Sequence, residues 1–250
     1  MKWRLLLPLL LSIGAVALLQ CWHIANSQRS MVTTQRRLQA VWHACINYAQ
    51  THAGHYPDGN TSNQALRQLF IVGYIADENF FERKGIDKVT PDGKIGTKEN
   101  GYLQALAPGE CQVTYIRGIA DENPGPNAPS LFTQTVGSNG DIWVIAVRKG
   151  GQSDLYRTSD GTVLQEQNGQ QVDIFSEAYL KEKYGILPQD ILKPEGPHRD
   201  ITALARQRKM EILRIQAAII LLIWLPFLIP HWIKHRRKPK PHPETPTPQA

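Results

Sequence analysis

Three histidines, His43, His52 and His55, lie on or near the first amphipathic stretch, and two of them, in His52-x-x-His55, have a spacing that invites a metal reading. Zinc needs further ligands, and no Asp or Glu stands beside His43, His52 and His55 as it does in an HExxH helix. Polar residues facing solvent are the simpler account. Hard oxygen ligands are better supplied. Asp87, Asp92 and Glu99, then Asp121, Glu122 and Asn123, occupy two loop-like stretches, and oxygen ligands on loops suit calcium. Their spacing is not that of an EF-hand, so solvated acidic loops are the economical reading and calcium the cofactor to test. Of the three cysteines, Cys45 and Cys111 would pair only if the fold brought them together in an oxidising compartment. Two separately buried thiols are the alternative. Ser153-Asp154 and Ser159-Asp160 are hairpin residues. The sequence has no G-x-S-x-G, no cysteine–histidine arrangement and no phosphate-cradling glycine loop, which points away from an enzyme.

What positions these residues is first of all a helix. From Leu38 the apolar residues fall at Val41, Trp42, Cys45, Ile46, Tyr48 and Ala49, the spacing of one buried stripe. Gly54 can take the left-handed conformation that ends a helix, and Pro57 prevents its continuation before the Tyr56–Gly59 turn. Arg36, His43 and Gln50, with Gln35 and Gln39, form its polar face and a possible partner surface.

The two ends are membrane segments by length and charge. Leu5 to Leu19 carries no charge and follows Lys2 and Arg4. It suits either a retained anchor or a secretory signal with a cleavage site at Ala25-Asn26-Ser27. Ile215 to Ile233 is also uncharged and precedes Lys234, Arg236, Arg237, Lys238 and Lys240. At ~1.5 Å per residue it spans roughly 29 Å, close to a bilayer core of ~30 Å. The net charge of +6 is concentrated at these ends. Between Leu38 and Asp200 there are 14 basic and 20 acidic residues, against +5 before and +7 after. Basic clusters that flank membrane segments orient a protein and attract anionic headgroups, whereas nucleic-acid binding would need the basic face on the domain. The simplest topology keeps both basic ends inside and places residues 25–210 outside the cytoplasm.

Between the ends, Thr61-Ser62-Asn63 caps a helix over Gln64–Tyr74, and Asp77–Phe81 reads as a short turn or helix. Residues 85–101 read as a long loop. Strands follow at Gln112–Arg117, Ser130–Thr135 and Asp141–Lys149, with a Pro/Asn/Gly loop at Asp121–Pro129 between the first two. Gly150-Gly151 turns into Asp154–Thr158, and Ser159-Asp160-Gly161 turns into Thr162–Glu166. A last helix runs from Ser176 to Lys183, followed by a turn at Pro188–Leu192. Helices first and antiparallel strands afterwards predict an α+β fold: one long N-terminal helix packed on a small antiparallel sheet, flanked by two hydrophobic membrane segments. Residues 1–27 are the anchor or signal, 28–197 the extracytoplasmic domain, 198–214 a basic juxtamembrane helix or linker, 215–233 the transmembrane helix and 234–250 a basic, Pro-rich tail.

This arrangement resembles the pseudopilins of type II secretion systems and the type IV pilins. The resemblance is carried by the long helix closed by Gly54-His55-Tyr56-Pro57, by Gly118-Ile119-Ala120-Asp121 through Asn127–Phe132, and by the hairpin Ser159-Asp160-Gly161-Thr162-Val163. It covers residues 38–192 and implies a pilin-like fold on the extracytoplasmic side of a bacterial inner membrane. Major pseudopilins use calcium to staple their C-terminal loops, and the resemblance extends that expectation to the six oxygen-bearing residues named above. Two features depart from the pattern. The first span begins Leu5-Leu6-Leu7-Pro8, without the Gly before Phe-x-x-x-Glu at which pilin precursors are cut, and a second span follows the domain. The expectation is therefore a membrane-anchored structural or interaction protein, with the bilayer and envelope or secretion-machine proteins as partners. The alternative is a sensory or ligand-binding ectodomain held by its C-terminal helix.

Overall fold

The computed structural model describes residues 3–82, 89–117, 125–167, 169–197 and 200–236. Helix α1, Trp3–Thr51, has no acidic residue in its 49 positions and one internal proline, Pro8. Its end is set by backbone geometry: Ala53 and Gly54 take φ of 54° and 86°, and the Gly54 N–H closes on the Ala49 carbonyl at 2.9 Å. Helix α2, Ser62–Ile71, starts where the Thr61 hydroxyl accepts the Gln64 N–H at 3.3 Å. It is shorter than the sequence suggests.

The sheet has the order β4-β3-β2-β1-β7, with every neighbour antiparallel. Its strands are β1 (Thr114–Ile116), β2 (Pro129–Val136), β3 (Ile142–Arg148), β4 (Ser153–Thr158) and β7 (Ile191–Leu192). Because alternate side chains point to opposite faces, the sheet serves a core on each side. Tyr115, Leu131, Ile145 and Val147 pack with Leu38, Val41, Trp42 and Cys45 of α1 and with Leu66 and Leu69 of α2. On the opposite face, Ile116 and Ile191 pack with Leu180 of helix α3, Glu177–Tyr184, and Val136 and Ile142 pack with Ala205 of helix α4, Ile201–Arg236.

One expectation changes. The strand after Ser159-Asp160-Gly161 does not extend the main sheet: β5, Leu164–Gln167, pairs with β6, Gln170–Asp173, as a separate hairpin. The stretch read as a basic juxtamembrane helix or linker is helical from Ile201, as the first part of α4, and Ala205 packs there against the sheet, 4% exposed.

The described chain forms two units. One is Trp22–Met210; the other comprises the described residues of 1–21 and 211–250. In the second unit, Leu10, Leu18, Leu221 and Leu222 are exposed large apolar side chains. Helices α1 and α4 are each long and apolar enough to cross a membrane.

Candidate functional site

Three carboxylates from separate parts of the sequence meet on the domain. Glu78, Asp92 and Glu110 each present an oxygen within 4.8 Å of the others. Glu78 opens a short 3-10 turn, Glu78–Phe81, whose entry is capped by Asp77 accepting the Asn79 N–H at 2.8 Å. Phe81 is buried and lies beside Phe70, which anchors the turn to α2. That packing forces the Glu78 side chain inward, where it is 1% exposed.

Burial is tolerated because backbone donors wait for it. The Leu106 N–H donates to Glu78 Oε1 at 2.6 Å and the Gly93 N–H to Oε2 at 3.0 Å. Glu110 accepts the N–H groups of Asp92 and Ala107, both at 2.7 Å. Asp92 accepts the Lys94 N–H at 2.8 Å and pairs with the Lys94 ammonium at 3.1 Å. Burial raises the Glu78 carboxyl above its ordinary range, and the charges of Glu110 and Asp92 push the same way. The Leu106 and Gly93 donors pull against them. The Lys94 backbone N–H, then its side chain, holds Asp92 below the usual range. The cluster staples the loop around Gly93 to the turn at Leu106. As a set of hard oxygen ligands it also has the chemistry that calcium prefers.

Of the six residues expected to supply such a site, Asp92 belongs to it. Glu99 lies in a separate, exposed 3-10 turn, Lys98–Asn100, where the Thr97 side chain lowers its carboxyl. Asp87, Asp121, Glu122 and Asn123 lie outside the described residues. Glu78 and Glu110 escaped the sequence reading. The one local signal was Asp77-Glu78-Asn79 before two phenylalanines, an acid next to a turn cap and an apolar anchor.

The histidines near the end of α1 do different things. His52 stacks on Tyr48 with ring centroids 3.8 Å apart, and His43 and His55 are exposed. Cys45 and Cys111 are both fully buried in the core under α1, and no bridge joins them. Gln35 and Gln39 are not on a free face: their amides donate to Ser153 Oγ at 2.7 Å and to the Gly151 carbonyl at 3.3 Å.

The Gly54–Pro57 segment is tied to the sheet. The Tyr115 hydroxyl donates to the Pro57 carbonyl at 3.0 Å, and Arg117 bridges Asp58 at 2.9 Å and Asp190 at 3.3 Å. Tyr48, Tyr56, Asp58, Arg117 and Asp190 line an open cavity of about 530 Å³ there. Beside α3 is another of about 550 Å³, lined by Arg148, Asp154, Tyr156, Phe175, Lys183 and Tyr184. Its charges are already engaged, Arg148 by Asp154 and Lys183 by the Tyr179 hydroxyl at 2.6 Å.

These observations define an α+β domain bordered by two apolar helices, with a carboxylate staple at one loop cluster. Comparison with known protein families, with curated proteins and with solved structures finds no match.

Proposed function

We propose that this chain is a membrane-anchored, extracytoplasmic structural or interaction protein with a pseudopilin-like domain, working beside a type II secretion or pilus-type envelope assembly. One observation carries the reading: α1 runs without a break from an exposed apolar stretch into the stripe that holds the domain's core, and ends at Gly-x-Tyr-Pro. A helix of that kind joins the anchor to the core through one continuous element of the chain. Arg36, His43 and Gln50 remain exposed along it as the partner-facing positions. Photo-crosslinking from Arg36 and Gln50 in cells, read by mass spectrometry, tests the proposal. Envelope-assembly proteins captured from both positions are expected; capture of lipid alone, or of nothing, rejects it.

A ligand-binding ectodomain is the second reading, favoured by the aromatic-lined cavity beside α3. It predicts that a small molecule recovered with the purified protein shifts its thermal midpoint.

A further inference from the structure

At the end of the sheet nearest Trp22, the β2–β3 turn Gly137–Gly140 is held by both helices that border the domain. The Ser138 hydroxyl donates to the His23 carbonyl at 2.6 Å, and Arg208 Nε donates to the Ser138 carbonyl at 3.2 Å. The fit leaves no space for side chains. A Cβ on Gly137 would lie 2.1 Å from Ser27 Oγ, and one on Gly140 would lie 2.7 Å from Lys209 Cγ and 3.2 Å from the Ala205 carbonyl.

The polar groups buried in this contact are poorly matched. His23 is 4% exposed, and neither ring nitrogen has a hydrogen-bond partner among the described residues. Ser27, one turn further along α1, is 1% exposed with an unpartnered hydroxyl. A neutral imidazole can be buried in this way at modest cost, but an imidazolium cannot, because a buried charge needs an acceptor. None is offered. α1 carries no Asp or Glu. In the turn, Asp141 is held by Arg157 at 2.7 Å and by the Asn139 amide at 2.6 Å. The neighbouring charges on the domain part of α4 are Arg206, Arg208 and Lys209, all basic; the acid Glu211 follows on that helix and has interactions of its own.

We infer that His23, the Gly137–Gly140 turn and the start of α4 form a proton-sensitive clasp, closed while the imidazole is neutral and released when it takes up a proton. His23 lies beyond the apolar run that ends at Leu19. In the closed contact its ring is buried without an acceptor, which disfavours the charged form. The closed form therefore binds the proton less well than the open form. Closure is fully favoured above the ordinary imidazole range and weakens as pH falls below it, by at most about tenfold in the closed-to-open ratio per pH unit.

The test uses the full chain in lipid nanodiscs, with Cys21→Ser removing the exposed native thiol and spin labels at Gln28→Cys and Ala203→Cys, both exposed positions of the same unit. Electron–electron distance measurements should give one distribution at pH 8 and a second, longer one that grows towards pH 5. His23→Gln and His23→Phe should both keep the single distribution throughout, the phenylalanine preserving the ring's bulk without its proton site. An unchanged distribution in the parent chain, or the same shift in both variants, overturns the clasp.

Discussion

Replacing Glu78 by alanine isolates the carboxylate staple. The Leu106 N–H loses a charged acceptor in a place where no solvent replaces it, since Leu106 is fully buried. An orphaned buried donor costs about 1–3 kcal/mol. The Gly93 N–H also loses its partner, but Gly93 is exposed and water takes over. Against these losses stands the relief of a buried carboxylate crowded by Glu110 and Asp92. The net expectation at pH 7 is a destabilisation of about 1–3 kcal/mol, in the range of a single lost buried bond. Its pH dependence is the sharper signature. A carboxyl raised in the folded state contributes most below its unfolded value, near 4.5, and that contribution fades as pH rises through the folded value. The difference between parent and Glu78→Ala should therefore be largest near pH 5 and shrink towards pH 8. The lowered carboxyls of Asp58, Asp77 and Asp200 act in the opposite sense but are common to both chains and cancel in the difference. Urea unfolding of both proteins in the same detergent at pH 5, 6.5 and 8 gives the comparison. A difference below about 0.5 kcal/mol, the size of an ordinary surface substitution, or one that grows with pH, refutes the reasoning.

Calcium at millimolar concentration should raise the thermal midpoint of the parent chain and leave that of Asp92→Asn nearer its calcium-free value; an unchanged parent midpoint removes calcium from the account. Trp42 is fully buried, stacks on Tyr56 at 5.3 Å and donates to the Lys149 carbonyl at 3.1 Å. Trp42→Ala should cost about 3–5 kcal/mol by urea denaturation, and Trp42→Phe distinctly less. A maleimide should modify one thiol, Cys21, in the native protein and three after unfolding without reductant, because Cys45 and Cys111 are buried and burial raises the Cys45 thiol further. Two thiols still missing after unfolding would reveal a Cys45–Cys111 bridge.

Local signals carried much of this fold. The stripe through Val41, Trp42 and Cys45 and the break at Gly54 could be read directly, because helix periodicity and helix-stop chemistry are written in neighbouring residues. Strands β2 to β4 were legible for the same reason. The pairing of β7 with β1 was not, since Ile191-Leu192 is too short to carry a period and is a strand only because Tyr115 and Ile116 lie beside it. Leu164–Gln167 alternates no apolar face towards the main sheet: all four residues are exposed, and its partner Gln170–Asp173 gave no apolar pattern either. The carboxylate cluster was illegible beyond Asp92, because Glu78 and Glu110 are brought to it by tertiary packing. The His23 contact was hidden as well, since a histidine just past an apolar run looks interfacial until the turn with Gly137 and Gly140 closes over it.

On the proposed reading α1 stays uncleaved and joins the apolar run to the core of the domain. Ser27, on that helix, packs against Gly137 of the β2–β3 turn, so cleavage after it would separate residues that the fold uses. Mass spectrometry of peptides from washed membranes identifies the first residue of the mature protein. Peptides that reach into residues 1–27 are expected, with the apolar run still attached to the domain. A mature chain beginning near Gln28 would contradict that reading.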